Sequence, residues 1–109
     1  MSYDVFTLRP FDKQLKRLIR KYPSLKKEYI ELIESLENNP KQGTPIGNRC
    51  YKVRLAIASK GKGKSGGARV IANLVIEESS VFLLAIYDKS EKENLTDSEL
   101  ADLLSQVPE

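Results

Sequence analysis

Two neighbouring apolar segments restrict the fold of this chain more than any other feature. Residues 68–76 are apolar on both faces of an extended chain, and residues 81–87 are apolar at every position. Short runs of this kind, rich in β-branched residues, are typical of buried strands inside a sheet. The longer uninterrupted run has only seven residues and is far too short to span a bilayer. The pattern therefore predicts two central strands.

The residues before these strands predict a short strand followed by a helical hairpin. Residues 3–8 are rich in β-forming side chains and stop at a proline. Apolar residues then recur at helical spacing over residues 11–22 and again over residues 25–36. Pro23 ends the first helix and Pro40 follows the second, because proline cannot continue a helix. Both apolar stripes are interpreted as core.

The remaining elements are a loop, one amphipathic strand and a terminal helix. Residues 41–48 predict a loop, and apolar and basic residues alternate over residues 51–57. Thr96 and Glu99 form a capping-box pattern that begins a short helix. The sequence thus predicts one α+β domain over residues 1–109, in the order β-α-α-β-β-β-α. We expect a small antiparallel sheet, with the N-terminal helical hairpin packed on one face and a short C-terminal helix.

Charge is distributed unevenly along the chain, although the net charge is only +3. Residues 49–69 contain seven basic residues and no acidic one, whereas residues 77–109 contain nine acidic residues. On the predicted strand, Lys52 and Arg54 project from the same face. A basic middle favours a polyanionic partner. The alternative, that both regions are merely solvated surfaces, stays open on charge alone.

A single cysteine and the absence of histidine exclude several functional classes. Cys50 cannot form an internal disulfide, which fits a reducing cytosol, and no histidine is present to activate it as a nucleophile. Asp4 and Arg9 interrupt the early apolar residues, so no signal peptide is expected. We expect a cytoplasmic protein without a membrane segment.

The segment of residues 60–67 alternates glycine with lysine and partly resembles a phosphate-binding P-loop. That motif requires a glycine where Ala58 lies and a helix afterwards, whereas a strand is predicted to follow. Nucleotide hydrolysis is therefore not expected. Lys60, Lys62 and Lys64 instead favour contacts with a nucleic-acid backbone, which position a substrate without reading its sequence. A solubilising hairpin tip without a partner is the alternative.

Three segments together resemble the RelE/ParE toxin superfamily: Tyr-Lys-Val-Arg-Leu-Ala at residues 51–56, Ser-Lys-Gly-Lys-Gly-Lys-Ser-Gly-Gly-Ala-Arg-Val-Ile at residues 59–71, and Leu-Ala-Ile-Tyr-Asp-Lys-Ser-Glu at residues 84–91. The similarity is greatest to the HigB-like branch and is specific over residues 51–95. Residues 1–48 match only in the pattern of their elements.

The resemblance implies a toxin of a type II toxin–antitoxin system. HigB-like and RelE-like members cleave mRNA in the ribosomal A site, by attack of a ribose 2′-hydroxyl on the adjacent phosphate. This reaction leaves a 2′,3′-cyclic phosphate and requires no metal or other cofactor. The implied partners are a cognate antitoxin, the ribosome and mRNA. Two alternatives stay open: a gyrase poison of the ParE branch, and a non-catalytic protein- or RNA-binding module of the same fold.

The resemblance also implies a set of site residues, and their chemistry suits it. Arginine can hold a phosphate through two parallel hydrogen bonds, and lysine can exchange a proton. Asn94 lies in a segment where some relatives have a catalytic tyrosine or histidine, and Asp88 would lie beside the site as a base or as a charge that repels phosphate. The identity of the general base is therefore open. The expected catalytic residues are Lys52, Arg54, Arg69, Tyr87 and Lys89, and the expected RNA-binding residues are Arg49, Lys60, Lys62 and Lys64.

Overall fold

A computed structural model describes residues 2–61 and 66–108. The order of its elements agrees with the predicted order, with one additional strand. The helices are α1 (Arg9–Lys21), α2 (Leu25–Asn38) and α3 (Asp97–Leu104). The strands are β1 (Asp4–Thr7), β2 (Thr44–Gly47), β3 (Cys50–Leu55), β4 (Ala68–Val75) and β5 (Ser80–Asp88).

The strands form one five-stranded sheet in the order β1-β5-β4-β3-β2. Neighbouring strands from β2 to β5 are antiparallel, but β1 runs parallel to β5. The predicted small antiparallel sheet is therefore present, with one parallel pairing at its edge. The helical hairpin carries the chain away from β1, so the first strand pairs with the last one instead of with its successor.

Strand β2 occupies part of the segment that was predicted as a loop. All four of its residues are exposed, and its pairing with β3 is interrupted by a bulge between Pro45 and Gly47. An edge strand this short and exposed has no alternation of apolar and polar residues to reveal it. It lengthens the sheet beyond β3 without adding to the core.

Both faces of the sheet are covered, which explains the two apolar segments. The α1–α2 hairpin packs on one face, where Phe11, Leu18 and Leu36 are fully buried against strand residues such as Val70. Helix α3 covers part of the opposite face, which we call the second face. Its Leu100 belongs to a cluster with Cys50, Ile71, Leu84 and Tyr87. Strands β4 and β5 lie at the centre and must therefore be apolar on both sides.

Helix α3 begins as the sequence predicted. Thr96 accepts a hydrogen bond from the Glu99 backbone at 3.1 Å, and the Glu99 carboxylate accepts one from the Thr96 backbone at 2.9 Å. This reciprocal pair is the capping box, and it fixes where the helix starts on the second face. Of the helices that the structure describes, none has the length and apolar character needed to cross a membrane.

Candidate functional site

Two arginines and a tyrosine form a row on the second face, near the edge where β3 and β5 end and β4 begins, and we call it the basic row. Arg54 on β3 lies directly opposite Arg69 on β4, and Arg69 lies directly opposite Tyr87 on β5. Residues paired in this way project from the same side of the sheet. Like charges placed directly opposite each other destabilise a sheet. The row therefore places two guanidinium groups side by side on one face of the sheet.

The two arginines differ in their access to solvent. Arg54 is exposed, whereas Arg69 is only 4% exposed, and its Nη1 donates a hydrogen bond to the Ala68 carbonyl at 3.1 Å. Arg54 can therefore bind an anion directly, while Arg69 supplies a fixed positive charge from within the sheet. The resemblance named both arginines as site residues, but the sequence did not indicate this difference in burial.

Lys52 lies two residues before Arg54 and belongs to the neighbouring row of the same face, opposite Ile71. Its Nζ donates a long hydrogen bond of 3.4 Å to Oδ1 of Asn94, in the segment that leads to α3. The ammonium is partly exposed and lies at the edge of a cavity of about 170 Å³. The alternation predicted from the sequence thus places Lys52 and Arg54 together.

Tyr87 is largely buried, with 6% of its surface exposed. Its hydroxyl oxygen makes no hydrogen bond of good geometry with the part of the chain that the structure describes. Burial raises the pKa of Tyr87, and the opposing effects of the Arg69 charge and the Leu95 backbone are smaller. At neutral pH the phenol is therefore protonated, and it can donate a hydrogen bond or a proton but cannot serve as a base.

Lys89 lies just past the end of β5, near the Arg69–Tyr87 side of the row. Its backbone N–H donates to the Gly67 carbonyl at 3.0 Å, which fixes the start of β4 against the end of β5. Its ammonium lies 4.0 Å from the Glu93 carboxylate and is about one-third exposed. A contact of this length at the surface contributes little and does not prevent Lys89 from contacting a substrate.

Asp88 is not beside the basic row, which corrects one expectation. It is paired with Ala68, which packs in the core under the helical hairpin, so its carboxylate lies on the opposite side of the sheet from Tyr87. There it is fully buried and accepts hydrogen bonds from Tyr22 at 2.8 Å and from the backbone and hydroxyl of Ser90. It can neither take a proton at the basic row nor repel a phosphate there.

Lys60 is the fourth partner of Asp88. Its Nζ lies 2.6 Å from Asp88 Oδ1, and the two side chains are 7% and 0% exposed. The same ammonium lies 5.5 Å from the centre of the Tyr22 ring. A lysine held in this way cannot reach a nucleic-acid backbone, so the geometry opposes its predicted role in RNA binding. Its interactions instead anchor the start of the glycine–lysine segment.

Of the other three predicted RNA-binding residues, the structure describes only Arg49. Arg49 lies in the turn between β2 and β3 with a φ of 60°, and its exposed guanidinium pairs with Glu77 at 3.0 Å. The Asn73 side chain supports this turn by donating to the Asn48 carbonyl at 3.0 Å. Lys62 and Lys64 lie outside the described residues.

The segment of residues 91–100 contributes Asn94, which the sequence marked only as a departure from relatives, and Asp97, which the sequence did not single out. It crosses the second face over Tyr87, and Leu95 packs among the apolar side chains beneath it. Asn94 reaches Lys52, and Asp97 at the start of α3 lines the same cavity. The capping-box pattern revealed the helix, but no local signal shows which strands it covers.

Comparison with known proteins identifies the family of this chain. Residues 6–106 match the family described as the RelE toxin of the RelE/RelB toxin–antitoxin system. The protein thus belongs to the class of small toxins from toxin–antitoxin systems. This chain belongs to the RelE toxin family.

Solved structures share the fold at low sequence identity. A double arginine-to-alanine mutant of the E. coli toxin RelE in the free state is 14% identical, with a TM-score of 0.66 and coverage of 99% of this chain and 100% of that one. The toxin–antitoxin complex RelBE2 from Mycobacterium tuberculosis gives 16% identity and a TM-score of 0.61, over 81% of this chain and 99% of that chain. The same E. coli mutant in complex with an antitoxin RelBc peptide gives 18% identity and a TM-score of 0.51, over 99% of this chain and 100% of that chain.

Proposed function

We propose that this toxin is a ribosome-dependent endoribonuclease that cleaves mRNA without a metal ion. The observation that carries the proposal is the row formed by Arg54, Arg69 and Tyr87, with Lys52 beside it. This row combines exposed and buried positive charge with a protonated phenol on one sheet face. Positive charge stabilises the phosphorane and the phenol can protonate the leaving oxygen, while Lys52 is the candidate that takes the proton from the attacking 2′-hydroxyl.

The roles follow from accessibility and charge. Arg54 binds the phosphate and stabilises the charge that develops on its oxygens, and Arg69 reinforces that field from a site shielded from water. Tyr87 is the candidate proton donor, since burial keeps its phenol protonated. Its buried hydroxyl reaches the phosphate or the leaving oxygen only when the segment of residues 91–100 that covers it moves aside. Lys52 is the candidate for proton exchange, and Lys89 adds charge at the far end of the row. With Asp88 on the opposite side of the sheet, no role is assigned to its carboxylate.

We also propose a cognate antitoxin as partner and the cytoplasm, with the ribosome and mRNA, as the place of action. Membership of a toxin–antitoxin family supports the first part, as do the structures of related toxins with their antitoxins. An antitoxin segment carrying acidic residues would suit the basic row, and its binding would cover Arg54. Co-expression with the protein encoded next to this gene, followed by purification of the complex, tests this partner. A basic row that stays accessible to RNA in the complex would contradict the proposed masking.

The enzymatic proposal is tested with purified protein, ribosomes and a translated mRNA. Primer extension is expected to show discrete cuts that require translation, and the upstream fragments are expected to end in 2′,3′-cyclic phosphate. Arg54→Ala is expected to lower the cleavage rate by about 10²- to 10³-fold, the usual loss when one donor to the transition state is removed. Arg20→Ala, an equally exposed arginine on α1, is the matched control and should cleave at the wild-type rate.

The same assay separates the competing functions. If mRNA stays intact while DNA gyrase forms trapped cleavage complexes with the protein, the chain is a gyrase poison and the ribonuclease proposal is wrong. If translation stops without cuts, and Arg54→Ala inhibits as strongly as the wild type, the chain is a non-catalytic binding module.

A further inference from the structure

A small cavity lies next to the basic row, between the second face and the segment that leads into α3. Its volume is about 170 Å³. The apolar side chains of Ile71, Tyr87 and Leu100 line it, and Lys52 and Asn94 meet at its edge through the 3.4 Å hydrogen bond. Cavities that hold whole drug-sized ligands are usually about 300–1,000 Å³. This one suits a single ring system.

The cavity is continuous with the proposed site for the reacting phosphate. Lys52 belongs to both, and Tyr87 lines the cavity while it ends the row that begins at Arg54. Positions two residues apart on one strand face are separated by about 7 Å. A nucleotide whose phosphate is held by Arg54 therefore has its neighbouring groups within reach of the cavity.

The lining distinguishes between the parts of a nucleotide. Asp97 brings a carboxylate to the cavity, which disfavours a phosphate, and apolar walls do not favour a ribose with several hydroxyl groups. A base has apolar faces and an edge of hydrogen-bond donors and acceptors. Lys52 can donate to that edge, Asp97 can accept from it, and the Asn94 amide can do both. The Tyr87 hydroxyl, buried and without a hydrogen bond of good geometry among the described residues, adds a further polar group next to the cavity.

We propose that this cavity holds one unstacked nucleobase of the bound RNA, and that Asn94 and Asp97 set the preference for that base. The inference rests on the proposed function, because it takes RNA as the ligand of the second face. It adds a base-recognition site to a surface whose other contacts are with phosphate and carry no sequence information. The preference of the toxin for its cleavage site would then arise partly in the segment that leads into α3.

The test uses isotope-labelled protein and short single-stranded RNAs whose 2′-hydroxyls are methylated, so that they bind but cannot be cleaved. Four such trinucleotides differ in the central base, and a fifth has an abasic central position. NMR signals of the Ile71 and Leu100 methyl groups and of the Asn94 side-chain amide report on the cavity. We expect base-containing RNAs to shift these signals, with one base preferred, and the abasic RNA to leave them in place.

Asp97→Asn is the diagnostic variant, and Asp102→Asn is its matched control in the same helix, outside the cavity. Asp97→Asn is expected to change the ratio of affinities for the four RNAs by about fivefold or more, the effect of one good base-edge contact. Asp102→Asn should keep the wild-type ratio. Equal shifts from abasic and base-containing RNAs, or identical ratios in the two variants, would overturn the base site. The base site would also be overturned if an antitoxin peptide occupies the cavity and none of the RNAs does.

The outcome is distinguishable from failure of the enzymatic proposal. Only the base site would be refuted if the protein makes translation-dependent cuts that require Arg54, while the NMR signals of the cavity are the same for every base and for the abasic RNA. Base-dependent signals in a protein that never cuts mRNA would refute the nuclease and leave the base site standing. In a protein that does cut, Asp97→Asn should also redistribute the cuts among sites, whereas Asp102→Asn should keep the wild-type distribution.

Discussion

The buried contact between Lys60 and Asp88 offers the sharpest test of how this fold is held together. Asp88 is fully buried, and its carboxylate accepts hydrogen bonds from Lys60 at 2.6 Å, Tyr22 at 2.8 Å, and the Ser90 backbone and hydroxyl at 2.9 and 2.8 Å. Asp88→Asn keeps the shape of the side chain and removes its charge. The Lys60 ammonium, 7% exposed, would then be a buried charge without its counter-ion.

The expected loss of unfolding free energy is about 3–5 kcal/mol, the usual cost of removing one partner of a buried ion pair. That is a large share of the roughly 5–15 kcal/mol that stabilises a typical domain. Adding Lys60→Met should recover part of the loss, because the double variant has no buried charge and the asparagine can still hydrogen-bond to Tyr22 and Ser90. Urea unfolding followed by circular dichroism measures all four proteins of the cycle.

The reasoning would be refuted if the stability losses of the two single variants simply added up in the double variant. If Lys60→Met costs the same in the Asp88→Asn background as in the wild type, the two groups do not interact energetically, whatever their distance. A double variant that is more stable than Asp88→Asn alone is the required result. The slope of the unfolding free energy against urea concentration should be the same in all four proteins. An equal slope shows that the substitutions change stability and do not change the compactness of the unfolded chain.

The same contact gives a pH dependence of defined sign. Burial alone would raise the pKa of Asp88, but the Lys60 ammonium and the hydrogen bonds from Ser90 and Tyr22 outweigh it and hold the pKa well below its usual range. A carboxyl group with a lowered pKa in the folded state contributes its full stabilisation above its unfolded pKa of about 3.9. That stabilisation is lost as the pH falls further. Urea unfolding from pH 6 down to pH 2 should show a steeper loss in the wild type than in Asp88→Asn, and parallel profiles would contradict the lowered pKa.

Three further predictions concern α3, the approach of β3 to β4, and the cysteine. Thr96→Ala removes the hydroxyl that accepts from the Glu99 backbone and should lower the unfolding free energy by about 1 kcal/mol, measured in urea; an unchanged midpoint would show that α3 does not depend on its cap. Gly67→Ala would drive a Cβ into the Leu55 carbonyl oxygen, so a thermal melt should show a loss of about 1–3 kcal/mol, and a wild-type melt would rule out that close approach. Burial raises the pKa of the Cys50 thiol, so a thiol reagent at neutral pH should label the native protein far more slowly than the unfolded chain, and equal rates would contradict its burial.

The element order was predictable because the signals that encode it are local. Helical spacing of apolar residues, the prolines after each helix and the capping box at Thr96 all act within a few positions of one another, and each marks an element found in the structure. Strand alternation placed Lys52 and Arg54 on one face because the side-chain period of a strand is two. The family could likewise be recognised from contiguous residues.

The environment of each charged residue was not predictable in the same way. Lys60 lies in a run of alternating lysines and glycines that suggests an exposed loop, yet its charge is buried because Asp88, 28 residues later, and Tyr22 come together beneath it. Arg69 lies opposite Arg54 but is buried where Arg54 is exposed. Burial depends on which distant segments pack over a side chain, and periodicity carries no information about that.

The sequence by itself determined the order of the predicted elements, the two-sided apolar character of β4 and β5, and the basic face of β3. Only the tertiary structure decided that β1 runs parallel to β5, that Asp88 lies opposite to the basic row, and that the segment before α3 encloses a cavity beside Lys52. The physical reason is that helices and strands are specified by contacts between near neighbours. The pairing of distant strands and the covering of a face depend on the packing of the whole chain.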